Sequence, residues 1–201
     1  MPDWQISGIF MVNTIINALV AFLMGGATLS FNFSAADAAG SLQYSGNGTI
    51  VTFGENYRME TDELLVVSNG EVKGIYQKGI DEMVLLPVTP ASGASAPVAS
   101  VHGVSVPGAS APGVSSHGAS SPGADIMDNP FALLRNPRGM YDISTIGMDA
   151  EGIPKQIVMK AKTGAVYTIS IQKYSKLAAS DPSLFTLNPD DYPSAVVTDL
   201  R

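Results

Sequence analysis

His102 and His117 are the only side chains in this sequence whose ordinary pKa lies near neutral pH, and there is no cysteine. Both histidines sit inside a Gly/Ala/Ser/Pro repeat, which offers nothing to hold an imidazole for general acid–base work. Two histidines do not complete a metal site either. Three carboxylate pairs remain as candidates for acid–base chemistry or calcium: Asp62/Glu63, Asp81/Glu82 and Asp190/Asp191. Each falls at a loop-like position, where solvated surface is the ordinary state; calcium is kept as an alternative at Asp190/Asp191 alone. No GxSxG elbow, phosphate-binding loop or dinucleotide glycine fingerprint follows a strand-like segment. Gly46-Asn47-Gly48 reads as a turn. Asn32 and Asn47 head glycosylation sequons, which matter only in a eukaryotic secretory pathway. The inventory predicts a protein that is not an enzyme, with no cofactor and no metal.

Composition narrows the partners. The chain has 201 residues, 45% of them hydrophobic and 14% charged, with a net charge of −7. That is enough apolar material for a real core. The negative balance excludes nucleic acid, whose phosphates need clustered Lys and Arg. It also argues against docking on anionic lipid. Without cysteine there is no disulfide and no lipidated Cys, so a soluble chain is expected rather than a lipid-anchored one.

Residues 1–26 form a first region. An apolar run from Ile6 to Met24 is interrupted by Asn13, Thr14 and Asn17, and no Lys or Arg occurs before Arg58. A secretory signal needs a positive n-region. Ala36-Asp37-Ala38 offers a small-residue cleavage site, but cutting there removes the strand-like Thr28–Ser34. A transmembrane helix is disfavoured by the mid-span asparagines. A degenerate signal peptide stays open. The preferred reading is a domain helix over Val12–Met24, stopped by Gly25-Gly26, with a signal remnant upstream as a variant of it.

Residues 27–201 form the second region, predicted to be a β domain interrupted by a disordered loop at 89–124. Met83 to Ala124 carries no charge, and three ten-residue units (Ala91–Ser100, Val101–Ser110, Ala111–Ser120) each end in Ala-Ser. Small residues and Pro bury too little to offset ordering entropy. Elsewhere strand signals dominate. Leu29, Phe31 and Phe33 alternate with polar residues; Leu64–Val67 and Val72–Tyr76 flank Asn69-Gly70, a strong hairpin signal. Gln156–Ala161 and Val166–Ile171 flank Lys162-Thr163-Gly164, with Tyr167, Ile169 and Ile171 sharing one face. Asn129–Asn136 reads as a short helix started by Asp128 or Asn129 and Pro130, with Phe131, Leu133 and Leu134 apolar. The stretch between Asn136 and Lys155 reads as short, with room for fewer strands. The predicted class is mainly β (α+β): an incomplete antiparallel barrel or curved sheet with helices over its open apolar face.

Four segments, in order, resemble the LolA-like family of periplasmic outer-membrane lipoprotein carriers in its Bacteroides-type form. They are Tyr57-Arg58-Met59-Glu60-Thr61 with Leu65–Gly70 and Gly74-Ile75-Tyr76; Asp81-Glu82-Met83; Asn129–Leu134; and a tail of Ser183–Thr186, Pro189, Asp191-Tyr192-Pro193 and Val197–Arg201. The resemblance implies an apolar cavity that shelters lipoprotein acyl chains, or another lipid, for delivery to the outer membrane. It further implies a soluble periplasmic monomer and partners among inner-membrane release proteins and outer-membrane acceptors. The residues expected to line the cavity are Phe31, Phe33, Tyr57, Met59, Leu65, Val67, Ile75, Met83, Leu85, Phe131, Leu134, Met159, Tyr167, Ile169 and Ile171. Met suits irregular apolar ligands. The alternative is a related β-shell acting in the envelope as a sensor or interaction module, without cargo transfer.

Overall fold

The computed structural model describes residues 3–88 and 141–201. The chain opens with one helix, α1 (Asp3–Met24), which ends where Val12–Met24 was expected to end. Ile16, Leu19, Val20 and Leu23 recur at helical spacing and are buried, a stripe that faces the sheet. Gly26 stops the helix: it takes a φ of +96°, and its N–H donates to the Leu23 carbonyl at 3.0 Å.

Among the described residues ten strands follow: β1 (Ala27–Ala36), β2 (Leu42–Phe53), β3 (Asn56–Thr61), β4 (Leu64–Ser68), β5 (Val72–Gln77), β6 (Glu82–Pro87), β7 (Tyr141–Met148), β8 (Pro154–Ala161), β9 (Val166–Lys176) and β10 (Val196–Asp199). They make one open sheet in the order β10-β6-β5-β4-β3-β2-β1-β9-β8-β7. The expected class, mainly β with an unclosed sheet and a helix over an apolar face, is what the chain forms. One pair departs from it: β10 runs parallel to β6. The stretch expected to be short of strands supplies β7, paired with β8 from Tyr141↔Ala161 to Met148↔Pro154.

Both predicted hairpins form. At Asn69-Gly70, Gly70 has φ +85°, and the Asn69 side chain accepts from the backbone N–H groups of Glu71 and Val72 at 3.0 and 2.8 Å. At Lys162-Thr163-Gly164, the Gly164 N–H closes on the Ala161 carbonyl at 2.9 Å. Gly46-Asn47-Gly48 is not a turn; it lies inside β2, and the chain reverses instead at Asp37, whose carboxylate accepts from the N–H groups of Ala39 and Ser41. Ala36-Asp37-Ala38 thus closes the strand at the centre of the sheet, between β2 and β9.

The sheet is buried on both faces, unequally. On the helix face, α1 packs over Leu29, Phe31, Ile50, Tyr57, Met59 and Val66. On the outer face, the chain after β9 crosses back over β4–β6 through two 3-10 turns, Pro182–Phe185 and Pro189–Asp191. Phe185 and Leu187 bury Leu65, Val67, Met83 and Leu85 there. Gly74 makes the socket: a Cβ on it would stand 2.7 Å from Leu187 Cδ2.

Leu19 is 2% exposed beneath the helix, whereas Leu42 is 64% exposed on β2. Leu19→Ala should therefore lower the unfolding free energy by about 3 kcal/mol in urea titrations. Leu42→Ala should stay within about 0.5 kcal/mol of the parent in the same measurement. Equal effects would mean that α1 is not part of the core.

Candidate functional site

The apolar side of β1 is graded along its length. Ala27 and Leu29 lie sealed under α1; Phe31 is 9% exposed, and Phe33 is half-buried. Across the strand pair, Tyr44 is 38% exposed at the far end. Phe31, Phe33 and Tyr44 form a run of tilted rings, with centroids 6.1 and 5.3 Å apart. The register explains the run. Phe31 pairs with Gly48 and Phe33 with Gly46, so each ring lies over a glycine of the neighbouring strand. A Cβ at Gly46 would be 3.0 Å from the Phe33 ring, and one at Gly48 2.8 Å from the Phe31 ring. That is why glycines stand inside a strand here.

On the other side of β1, Ile171 and Ile169 pair with Phe31 and Phe33, and Tyr167 with Ala35. Beyond them Ile157 and Met159 of β8 and Tyr141 and Ile143 of β7 continue the same apolar surface. Tyr141 and Tyr167 meet edge to face at 6.0 Å.

Of the residues expected to line one cavity, Phe31, Phe33, Tyr57, Met59, Ile75, Met159, Tyr167, Ile169 and Ile171 share the helix face. Leu65, Val67, Met83 and Leu85 do not; this corrects their placement. Met59 pairs with Val66, so Val66 points to the helix face and its neighbours Leu65 and Val67 point away. Tyr76 pairs with Met83 and Gly74 with Leu85, which puts those two under the C-terminal segment. The runs Leu64–Val67 and Met83–Leu86 are apolar at every position because both faces of β4 and β6 are covered, so alternation could not reveal their phase. Phe131 and Leu134, the short helix predicted around them, the repeat loop and both histidines lie outside the described residues. Sequence reasoning missed Leu29, Ile50, Val66, Tyr141 and Ile157 on this face. Leu29 and Ile157 were recoverable, being two residues from Phe31 and Met159.

Polar groups ring this surface but do not converge on it. The Tyr44 hydroxyl donates to Glu63 at 3.1 Å; burial, then Glu63, pushes the phenol pKa up. Tyr174, stacked edge to face on Phe22 of α1, donates to Asp149 at 2.6 Å and to Glu151 at 3.0 Å. Those bonds hold its phenol protonated far above the usual range. On the outer face, Lys78 at 2.9 Å and Arg58 at 3.3 Å pair with Glu60 and lower its carboxyl pKa, the Lys78 hydrogen bond most. Tyr76 donates to Asp81, whose carboxylate is held low by Ser194 and then by Tyr76. Among the described residues no group of three or more His, Cys, Asp or Glu could hold a metal ion. Asp190 and Asp191 sit in a 3-10 turn, with the Asn188 side chain capping Asp190. Among the described residues no helix is long and apolar enough to cross a membrane. Among the described residues the arrangement offers an apolar surface, sealed at one end and open at the other.

Gly48→Ala places a methyl against the Phe31 ring and 3.1 Å from the Glu60 carbonyl oxygen, so it should destabilise the fold. Overpacking of this kind costs about 1–3 kcal/mol, readable in a urea melt; no change would mean the ring yields freely. The folded-state pKa of Glu60 lies below 4.5, so its ion pairs contribute fully above pH 4.5 and are lost as the pH falls below that. Glu60→Gln should be less stable than the parent near neutrality, and the gap should close as acid is added. A gap independent of pH would remove the ion pairs from the account.

No protein-family model matches the sequence, and no curated protein matches it. Among solved structures, the chain is similar to an uncharacterized conserved protein from Thermus thermophilus. The identity is 8% and the TM-score 0.50, covering 94% of this chain and 99% of that one. It is also similar to a LolA superfamily protein from Nitrosomonas europaea, at 9% identity and TM-score 0.44, over 88% of this chain and 97% of that one. The likeness to the Thermus protein, which spans nearly the whole of both chains, is one of fold: a single open, mainly β sheet with its helix, not a shared chemistry.

Proposed function

We propose that this chain is a carrier without catalytic activity. In this reading it shelters the acyl chains of lipoproteins, or another lipid, on the helix face of its sheet and delivers them to the outer membrane. The observation that carries the reading is the graded apolar surface from Leu29 through Phe31 and Phe33 to Tyr44, continued by Ile169 and Ile171. Among the described residues these rings are increasingly uncovered toward one end, which suits a surface that takes up a flexible chain. The sequence resemblance to the LolA-like carriers points the same way. On this reading the protein works as a soluble monomer in a periplasm, between an inner-membrane release protein and an outer-membrane acceptor.

Pyrene-labelled dodecanoic acid should bind the purified chain with saturable fluorescence. Phe33→Glu should weaken that binding by roughly tenfold or more, because a carboxylate at a half-covered apolar contact must be desolvated. Val51→Ala, on the outer face, should bind as the parent does. Circular dichroism checks that each variant is folded. A parent that binds no probe, or a Phe33→Glu variant that binds equally well, would favour a sensor or interaction module over a carrier.

A further inference from the structure

The outer face of the sheet is not uniform. Over β4–β6 it is apolar and lies under the C-terminal segment. Over β2, β1 and β9 no described residue covers it, and it holds a depression of about 430 Å³, lined by Asn32, Ser34, Ser45, Asn47, Thr168 and Ser170, with Phe33 and Gly46 completing it. The register orders these six side chains. Asn47, Asn32 and Ser170 form one row across the three strands; Ser45, Ser34 and Thr168 form the next. Adjacent strands stand about 4.8 Å apart, and the two rows about 7 Å apart along the strands. The array is therefore roughly 10 Å by 7 Å, on strands paired along both edges.

Its chemistry is restricted. Every member is an amide or a hydroxyl, able both to donate and to accept, and none carries charge. Asn32, Ser34, Ser45 and Thr168 make no hydrogen bond through their side chains among the described residues. Only two corners are engaged: Asn47 donates to Asp62 at 3.4 Å, and Gln156 donates to Ser170 at 3.1 Å. An anion would require Lys or Arg in the lining, and a cation would require carboxylates. A neutral ligand dense in hydroxyls suits what is present: groups that donate and accept at once, carried on strands whose backbones are already paired.

We propose that this outer-face array is a binding site for a neutral carbohydrate, of about two pyranose rings. The six polar side chains point away from the helix face, although Phe33 of that face also borders the depression, and the proposal does not depend on the carrier reading. Carbohydrate on this face and an acyl chain on the other would allow one chain to engage both without competition.

The test is a two-dimensional NMR titration of the full chain with maltotriose, cellotriose and N,N′-diacetylchitobiose, each at millimolar concentration. At least one sugar should give saturable shifts in the backbone amides of residues 32, 34, 45, 47, 168 and 170. Asn32→Ala should weaken that sugar roughly fivefold, the loss of one or two neutral hydrogen bonds, and Thr168→Ala should weaken it similarly. Melting temperatures of both variants should match the parent, since neither side chain has a hydrogen-bond partner among the described residues. Glucose 6-phosphate should gain nothing from its charge. The proposal is overturned if none of the three sugars saturates, if the shifts map to the helix face, or if both folded variants bind as the parent does.

Discussion

The Thr52 hydroxyl donates to the Leu23 carbonyl at 2.6 Å, fully buried, and the rest of the helix face depends on that seam. The last carbonyls of a helix have no partner within it and must find one outside. Here the Leu23 carbonyl accepts from both the Gly26 N–H and the Thr52 hydroxyl, the Gly54 N–H takes Met24 at 2.9 Å, and just past the helix the Leu177 N–H takes the Gly26 carbonyl at 2.9 Å. The C-terminal end of α1 is therefore fastened to β2 and to the end of β9. Its apolar stripe at Ile16, Leu19, Val20 and Leu23 packs on the sheet from there, and among the described residues Phe33 and Tyr44 are less covered than Leu29.

An open sheet has a second problem, because its outer face also needs cover or solvation. The chain meets it in two ways. Over β4–β6 it lays its last residues, with Leu187 filling the space above Gly74 and Tyr192 stacking on Tyr76 at 4.4 Å. Over β2, β1 and β9 it uses polar side chains instead: Thr28, Ser30, Asn32 and Ser34 alternate with Leu29, Phe31 and Phe33 along one strand. β1 is thus divided cleanly, apolar on one side and uncharged polar on the other, and both candidate surfaces share it as a wall.

That division decides what the sequence could reveal. Along β1 and β9 one face is apolar and the other polar, so alternation set Phe31 and Phe33 on one face of their strand and Tyr167, Ile169 and Ile171 on one face of theirs, while joining them into one surface came from the family resemblance. The Asn69-Gly70 hairpin was legible because its turn chemistry is local. Along β4 and β6 both faces are buried, alternation vanishes, and the phase is set by distant register partners such as Met59↔Val66. Gly46-Asn47-Gly48 misled for a related reason. Its glycines are explained by phenylalanine rings on another strand, not by any local turn.

Graded cover also bears on how a carrier would have to work. Each methylene fully removed from water contributes about 0.8 kcal/mol. A dozen of them would gain roughly 9–10 kcal/mol before the cost of immobilising the chain. A cargo held that way leaves slowly, since affinity resides mostly in the dissociation rate. A face sealed near Leu29 and open near Tyr44 returns only part of that energy for the segment nearest the opening. In a carrier, weak hold at the open end would let an acceptor engage the exposed methylenes first and draw off the remainder stepwise, so that no single step would have to overcome the whole binding energy. The glycines at 46 and 48 matter here because the Phe33 and Phe31 rings occupy the space that a side chain there would fill. The same two positions that fit the aromatic rings to the sheet would also set how far a cargo chain stays exposed.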